Sequence, residues 1–217
     1  MGKFVLQQLR AAPNIYLIEN FLSTTEVEYL RQRADQGRFQ KSYCDAVQAD
    51  GKQTSVLDQQ HRTSTFLSLK RQDDQKIATI ERRACALLNV WNPDAVEPLQ
   101  LVRYGPGQFF RMHHDLGDFN AATGTVALPP RMWHVQRRLV TIFCYLNEPT
   151  AGGETFFPQA AQLKVQPTTG SAVLFCNVTL DEQSPERLIP DPRTVHEAKP
   201  VREGTKYGLN IWICEAG

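Results

Sequence analysis

Two histidines and one aspartate in this sequence have the types and spacing of a metal site. His113 and Asp115 lie two residues apart, at the end of an aromatic and apolar run that is predicted to be extended. Residues two apart on a strand point to the same face, so this imidazole and carboxylate should lie side by side, with His114 pointing away. His196 is the candidate for a third ligand. Two histidines and one carboxylate hold Fe(II) on one face and leave its other positions open for substrate and oxygen.

A lysine further along the chain is the candidate for binding an organic acid that chelates the metal. Lys206 begins a strand predicted over residues 206–214, in which alternate residues share a face. One face is uniformly apolar and should pack against a second layer, whereas the face that carries Lys206 is mixed. A buried lysine without an anion is costly, so an inward Lys206 predicts a carboxylate partner. The apolar face comprises Tyr207, Leu209, Ile211 and Ile213, and the mixed face continues with Gly208, Asn210, Trp212 and Cys214.

A tyrosine precedes the candidate metal site. Tyr104 ends a strand predicted over residues 98–104, and Gly105-Pro106-Gly107 follows it. A tight turn there should bring the chain back so that His113 and Asp115 run alongside this strand. The Tyr104 phenol is then placed to donate a hydrogen bond to a bound acid. The alternative, to which we give equal weight, is that Tyr104 is a core residue with no role in the site.

Two helices followed by many short strands are predicted from the hydrophobic pattern. Ser23 and Glu26 fit a capping box, which predicts a helix over residues 24–35, and a second helix is predicted over residues 73–88. This order indicates an α+β, mainly β fold: a sandwich or barrel backed by N-terminal helices. The predicted strands are near residues 13–22, 98–104, 108–115, 138–146, 154–157, 162–165, 171–177, 193–197 and 206–214.

Two polar segments are predicted to lie outside the regular elements. Residues 40–66 are rich in turn formers and read as a solvated loop that leads into a strand. Residues 117–137 contain few apolar side chains and read as a long surface loop directly after Asp115. Loops of this length in compact domains are often lids or binding loops.

The length and charge of the chain restrict its organisation and its partners. A chain of 217 residues is long enough for one domain with a full core, here a helical support region of about 1–97 and a core of about 98–217. The formal net charge of +1 gives no basic excess, so nucleic acid is not expected as the main partner. No apolar run approaches the roughly 20 residues that span a bilayer. The oligomeric state is not predicted.

Cysteine usage indicates a reducing compartment. The five cysteines are odd in number and show no CxxC spacing, which disfavours a zinc site or a disulfide framework. The first residues lack the apolar core of a secretory signal. A cytoplasmic location is therefore expected, and an excised lumenal domain is the alternative.

Several short motifs together resemble one enzyme family, the prolyl 4-hydroxylases among the Fe(II)/2-oxoglutarate-dependent dioxygenases. The motifs occur in the order typical of that family and cover about residues 98–214, while the N-terminal part resembles it more loosely. They are Leu101 to Phe110 followed by His113-x-Asp115, Arg138-x-x-Thr141, Tyr145-Leu146-Asn147, Gly152-Gly153-Glu154-Thr155-Phe156-Phe157-Pro158, Val195-His196, Pro200-Val201 and Gly204-x-Lys206.

The resemblance implies a double-stranded β-helix, or jelly-roll, core and a site that uses Fe(II), 2-oxoglutarate and O2, with ascorbate as the expected reductant. His113, Asp115 and His196 match the iron ligands of the family. Lys206 matches the lysine that binds the C5 carboxylate of 2-oxoglutarate, and it is counted with the three ligands as a catalytic residue. The implied reaction hydroxylates a prolyl residue in a protein or peptide while 2-oxoglutarate is converted to succinate and CO2.

Four further positions match residues around the co-substrate and the peptide. Tyr104 and Thr155 match positions that contact 2-oxoglutarate, and Arg138 and Trp212 match positions near the peptide substrate. Hypoxia-sensing prolyl hydroxylases and many nucleic-acid demethylases use arginine where Lys206 stands. The chain is therefore more similar to the collagen-type and plant- or algal-type branch.

Two departures from the family pattern affect the substrate more than the chemistry. Leu116 follows the H-x-D triplet where an aromatic residue is common, and the segment 117–137 is longer than in compact members. The alternatives that remain open are a lysyl or other side-chain hydroxylase, a nucleic-acid demethylase, a non-catalytic binding module of the same fold, and a cupin-like metal hydrolase or isomerase. The last of these would need neither Lys206 nor Arg138.

Overall fold

Strands make up most of the regular structure, and two helices lie among the first ninety residues. The computed structural model describes residues 4–47, 53–72, 74–90, 92–128 and 137–215. The first strands are β1 (Val5–Arg10), β2 (Ile15–Glu19), β3 (Gln40–Lys41), β4 (Cys44–Val47), β5 (Gln53–Val56) and β6 (Thr65–Leu69), and the helices are α1 (Thr24–Gln36) and α2 (Gln75–Leu87). The later strands are β7 (Leu99–Tyr104), β8 (Phe110–His113), β9 (Asp118–Asn120), β10 (Thr125–Ala127), β11 (Arg138–Tyr145), β12 (Ala151–Gly152), β13 (Thr155–Phe157), β14 (Leu163–Val165), β15 (Ala172–Cys176), β16 (Val178–Leu180), β17 (Leu188–Pro190), β18 (His196–Ala198), β19 (Val201–Glu203) and β20 (Lys206–Cys214).

The larger sheet has eight strands in the order β1-β2-β15-β11-β20-β7-β6-β3. Its long central strands, β11 and β20, run antiparallel with Thr141 opposite Trp212 and Phe143 opposite Asn210. Strands β1, β2, β3 and β6 join this sheet, so the region of about 1–97 supplies strands as well as helices. The division into one domain with a helical support region stays a prediction.

The side chains of β20 alternate between an apolar face and a pocket-lining face, as the sequence predicts. Leu209, Ile211 and Ile213 belong to the apolar cluster that packs against the two helices. Lys206, Asn210 and Trp212 point the other way and line a pocket. Because successive side chains of a strand point to opposite faces, β20 both anchors the helical layer and carries site residues.

The smaller sheet has the order β14-β13-β18-β8 and lies across a core from the larger one. The two sheets meet through aromatic side chains: the Phe157 and Phe175 rings are 5.1 Å apart and nearly perpendicular. Buried residues of both sheets form one cluster, which includes Val102, Phe143, Tyr145, Val165 and Val173. Two facing antiparallel sheets with helices on the outer side agree with the predicted jelly-roll core.

The first helix begins at the predicted residue and ends one residue later than predicted, at Gln36. The Ser23 hydroxyl accepts from the Glu26 amide and the Glu26 carboxylate accepts from the Ser23 amide, which completes the capping box. Val27, Leu30 and Ala34 form its buried face. Helix α2 starts two residues later than predicted, with Asp74 as its N-cap, and Asp73 lies outside the described residues.

Three local predictions around the candidate metal site are wrong. Residues 193–197 are not one strand: a 3-10 turn covers Pro192–Thr194, and β18 begins at His196. Strand β8 ends at His113, so Asp115 lies beyond the strand. The turn at residues 105–107 does not form a hairpin, because β7 and β8 belong to different sheets. Tyr104 therefore faces the candidate ligands from the opposite sheet.

Both segments predicted as loops contain strands where they are described. Residues 40–66 supply β3, β4, β5 and the start of β6, and Arg62, expected in solvent, is 9% exposed. Within 117–137, strands β9 and β10 pair as a hairpin, and residues 129–136 lie outside the described part. Strands of three or four residues have too little hydrophobic periodicity to be recognised from sequence. Among the described residues, neither helix is long and apolar enough to cross a membrane.

Candidate active site

A pocket between the two sheets contains seven of the eight predicted site residues. The exception is Arg138, which lies next to a residue of the wall and not in the wall itself. The pocket is lined by Arg62, Tyr104, Phe110, His113, Asp115, Thr141, Phe143, Thr155, Phe175, His196, Ala198, Lys206, Asn210 and Trp212.

His113 and His196 lie directly opposite each other on paired strands. Their strands, β8 and β18, run antiparallel with these two residues in register. Each Nδ1 atom faces a backbone carbonyl: that of Arg111 at 2.8 Å for His113, and that of Thr194 at 3.0 Å for His196. A carbonyl oxygen can only accept, so each Nδ1 carries the proton and each Nε2 presents its lone pair. Both Nε2 atoms face Asp115 Oδ1, at 3.5 Å and 3.9 Å.

The Asp115 carboxylate has one oxygen held by the protein and one directed at the histidines. Its Oδ2 atom accepts from the Thr141 hydroxyl at 2.7 Å and from Trp212 Nε1 at 3.2 Å. The Thr141 oxygen in turn accepts from Asn177 Nδ2 at 3.0 Å. Oδ1 is left to point towards His113 and His196, and the three ligand atoms lie within 4.8 Å of one another.

Electrostatics within this group favour the protonation states that bind a cation. Burial raises the pKa of the Asp115 carboxyl, but His196 and His113 outweigh it and hold that pKa well below its usual range. Burial, reinforced by His113, lowers the pKa of His196 to about 3. An ionised carboxylate beside neutral imidazoles is the form in which these groups ligate a divalent metal.

Lys206 is a buried cation at the inner end of the pocket. Its side chain is 1% exposed, and Nζ has no hydrogen-bond partner within the described part of the chain. Three aromatic rings lie close to it: Nζ is 5.0 Å from the centre of Phe143 and 5.5 Å from the centres of Tyr104 and Tyr145. Burial lowers the pKa of Lys206 to about 7, against a small opposing effect of Glu154. An orphaned amine in such a place fits a ligand that brings a carboxylate.

Tyr104 and Thr155 flank Lys206 from opposite sheets. Tyr104 is the cross-strand partner of Lys206 on β7, and burial raises the pKa of its phenol. Thr155 lies on β13, and its hydroxyl accepts from the Tyr145 hydroxyl at 2.8 Å. Tyr145 was missed as a site candidate, although it lies four residues after Thr141 on one face of β11.

Arg138 lies over the Trp212 ring instead of lining the pocket. Its guanidinium carbon is 3.8 Å from the centre of that ring, and Nε and Nη2 donate to the two oxygens of Glu97 at 2.6 and 2.8 Å. This two-pronged ion pair fixes the guanidinium plane against the indole. Trp212 itself lines the pocket and binds Asp115, so Arg138 is one contact removed from the candidate ligands.

Arg62 is a further pocket residue to which sequence analysis gave no role. Its guanidinium donates to Gln100 Oε1 at 3.0 Å and to the Ser64 hydroxyl at 3.1 Å, and it stacks on Phe110 at 4.5 Å. The Phe110 ring is itself stacked on His113, with centres 3.5 Å apart. The Arg62-Thr63-Ser64 triplet was the available signal, but its polar surroundings were interpreted as solvent-exposed.

The residues of the pocket fit a divalent metal and a dicarboxylic acid. Two imidazoles and one carboxylate occupy one side, which is the donor set of a facial site with open positions. The unpartnered Lys206 amine at the inner end supplies the charge that a second carboxylate of the same acid requires.

Comparison with known proteins identifies the same region. Residues 99–214 match the model of the 2OG-Fe(II) oxygenase superfamily. Prolyl 4-hydroxylase 1 of Arabidopsis thaliana is 31% identical over 218 residues, which covers 93% of this chain and 69% of that protein. Prolyl 4-hydroxylase 2 of the same plant is 28% identical and covers 96% of this chain and 69% of its own length.

A solved structure has the same architecture. The viral collagen prolyl hydroxylase of Paramecium Bursaria Chlorella virus-1, in its 2OG complex, superposes with a TM-score of 0.64 at 25% identity. The alignment covers 91% of this chain and 94% of that one. The predicted jelly-roll fold is thereby confirmed.

Proposed function

This chain belongs to the 2OG-Fe(II) oxygenase superfamily, and we propose that it hydroxylates prolyl residues of a protein or peptide while 2-oxoglutarate is converted to succinate and CO2. One observation carries the proposal: the His113, Asp115 and His196 cluster and the unpartnered Lys206 amine line a single pocket. Relatives named prolyl 4-hydroxylases, aligned along almost the whole chain, support the prolyl target.

In this proposal His113 Nε2, His196 Nε2 and Asp115 Oδ1 would hold the metal. When both are bound, Fe(II) and 2-oxoglutarate would supply the electrons that activate O2 for hydroxylation. The protein keeps both Nε2 lone pairs directed inward through the carbonyls behind each imidazole. Thr141 and Trp212 hold the second oxygen of Asp115, so the carboxylate cannot rotate freely.

The tail of 2-oxoglutarate would lie at the Lys206 end of the pocket. Protonated Lys206 would pair with its C5 carboxylate, and Tyr104 and Thr155 line the pocket there with Lys206. Phe143 and Tyr145 exclude water around the amine, which strengthens this ion pair. Exclusion of water also protects the reaction from unproductive turnover.

We propose that the peptide approaches the pocket on the side of Trp212. The Trp212 ring lines the pocket next to Asp115. The Arg138 guanidinium packs over this ring and is itself held by Glu97. We expect the prolyl ring to lie against this indole, with Arg138 positioning the surrounding backbone. A fixed orientation of the C–H bond then decides which carbon is hydroxylated.

Succinate release tests the proposal. Purified protein is supplied with Fe(II), ascorbate as the expected reductant, and 2-oxoglutarate, with and without proline-containing peptides that include poly(L-proline) and collagen-like repeats. Peptide-stimulated succinate together with a gain of one oxygen on proline is the expected result. Amino-acid analysis of the product distinguishes 4-hydroxyproline from its 3-isomer.

Matched variants define the site in the same assay. His113→Ala and Asp115→Ala are expected to abolish turnover while the circular dichroism spectrum stays unchanged. Succinate release with an oxidised residue other than proline would contradict the prolyl target and keep the dioxygenase chemistry. Turnover of a peptide without 2-oxoglutarate would instead favour a metal hydrolase or isomerase.

A further inference from the structure

His114, the residue between the two candidate ligands of the H-x-D triplet, is buried in a hydrogen-bond network of its own. Its side chain is 6% exposed and points away from the pocket. Its Nδ1 atom lies 3.1 Å from the Leu116 amide nitrogen. Its Nε2 atom lies 3.1 Å from both the Asp191 carbonyl oxygen and the Thr194 hydroxyl.

Two backbone groups fix the tautomer of this imidazole. The Leu116 N–H can only donate, so Nδ1 must be the acceptor. The Asp191 carbonyl can only accept, so Nε2 must carry the proton. The Thr194 hydroxyl already donates to the same Asp191 carbonyl at 2.9 Å, which leaves its oxygen lone pairs for the His114 proton. All of these contacts agree on one neutral form, opposite to the tautomer of His113.

The network connects the two chain segments that carry the candidate ligands. Leu116 directly follows Asp115, which lies beyond the end of β8 and has no strand pairing to hold it. Thr194 ends the 3-10 turn before His196, and its carbonyl accepts from His196 Nδ1. One imidazole therefore ties the backbone behind Asp115 to the turn that orients His196.

We propose that His114 is a positioning residue that holds Asp115 and His196 at metal-binding distance by linking their backbones through Asp191 and Thr194. It contacts neither the metal nor the substrate. The proposal rests on the metal site of the proposed function. It assigns a role at that site to a residue that is not one of the candidate ligands. Removing a partner that orients metal ligands typically lowers metal affinity about 10- to 100-fold.

Mn2+ titration of the metal-free protein, followed by electron paramagnetic resonance of the free ion, tests this role without turnover. His114→Leu is expected to raise the Mn2+ dissociation constant about 10- to 100-fold. Two partial replacements separate the contacts: His114→Asn keeps an acceptor for the Leu116 amide, and His114→Gln keeps a donor for the Asp191 carbonyl. Each should recover part of the lost affinity.

Ile77→Val is the matched control, because it removes one methylene from the buried face of α2, away from the pocket. It should lower the urea midpoint and leave Mn2+ affinity unchanged. A folded His114→Leu protein whose affinity stays within about twofold of the unchanged chain would overturn the proposal. If His114→Leu does not fold, the comparison of Thr194→Val with Thr194→Ser decides, since only serine keeps the hydroxyl. Equal affinities in that pair would also overturn it, and no Mn2+ binding by the unchanged chain would overturn the metal site itself.

Discussion

Lys206 and Tyr104 lie directly opposite each other on β20 and β7, with the lysine Nζ 5.5 Å from the centre of the tyrosine ring. Two more aromatic rings, Phe143 and Tyr145, lie at a similar distance from the amine. Ring faces attract a cation but do not replace a hydrogen-bonded anion. This arrangement leads to the first two predictions.

Lys206→Met should selectively weaken 2-oxoglutarate binding. Methionine has nearly the same shape and no charge, so the packing against Phe143 is kept while the carboxylate loses its partner. A hydrogen bond to a charged group is worth roughly 1.5–3 kcal/mol, which corresponds to a rise of about 10- to 100-fold in the dissociation constant. Calorimetric titration with Mn2+ in place of iron measures it, and an unchanged constant would mean that the acid binds elsewhere.

The affinity for 2-oxoglutarate should fall as the pH rises above about 7, because burial lowers the pKa of Lys206 to about 7 in the ligand-free protein. Below that pH the amine is charged and meets the carboxylate directly. Above it, binding must first take up a proton, so the apparent dissociation constant rises by up to about tenfold per pH unit. Titrations in two buffers of different ionisation enthalpy measure this uptake. Lys206→Met should show none of it, and identical pH profiles for the two proteins would contradict the assignment.

Thr141→Val should weaken the metal site without changing the candidate ligands. The substitution keeps the shape but removes the hydroxyl that donates to Asp115 Oδ2, and it leaves Asn177 Nδ2 without its acceptor. Loss of one such contact should reduce Mn2+ affinity by about tenfold or more. Thr141→Ser, which retains the hydroxyl, should stay close to the unchanged chain. Valine and serine variants of equal affinity would show that Trp212 alone is sufficient to orient the carboxylate.

Arg138→Ala should impair peptide use more than it impairs the slow decay of 2-oxoglutarate without peptide. The change unstacks the Trp212 ring and leaves the half-buried Glu97 carboxylate unpaired. A loss of roughly 1.5–3 kcal/mol raises the peptide KM by about tenfold or more. Glu97→Gln, which keeps a neutral acceptor for Arg138, should have a smaller effect. Equal losses in both reactions would place Arg138 with the metal site instead of the peptide.

Gly208→Ala should destabilise the fold near Lys206. A methyl group at this position would lie 2.2 Å from the Phe143 ring, so the ring that packs against the Lys206 amine would have to move. Overpacking of this kind costs typically 1–3 kcal/mol, which urea unfolding can measure. Gly107→Ala provides a contrast, because its added methyl would meet no atom within 4 Å and only its φ of +77° is unfavourable. A tolerated Gly208→Ala would show that the ring has room to shift.

Two predictions that each rest on one element with a strong local pattern are confirmed. The capping box at Ser23 and Glu26 depends on four consecutive residues, and it forms as expected. The two faces of β20 follow from strict alternation over nine residues, which places Lys206 and Trp212 in the pocket and Leu209 in the core.

Two predictions about individual side chains were wrong because contacts with residues distant in sequence decide where those side chains lie. Asp115 was expected on the strand of His113, but β8 ends first, and the carboxylate reaches the histidines because Thr141 and Trp212 hold it. Arg62 was expected in solvent, yet its contacts with Gln100 and Phe110 bury it. None of these partners is a neighbour in the chain, so no local pattern records them.

The sequence by itself determined which chemical groups are available: two imidazoles, a carboxylate and a lysine amine. The hydrophobic alternation of the segments that carry them indicates on which face of its segment each side chain lies. Only the tertiary structure decided how they meet. The pairing of β8 with β18 sets His113 against His196, and the pairing of β7 with β20 sets Tyr104 against Lys206. The packing of one sheet on the other then brings these two pairs to one pocket. Strand pairing and sheet packing are long-range interactions whose energies depend on the whole core, so short stretches of sequence cannot specify them.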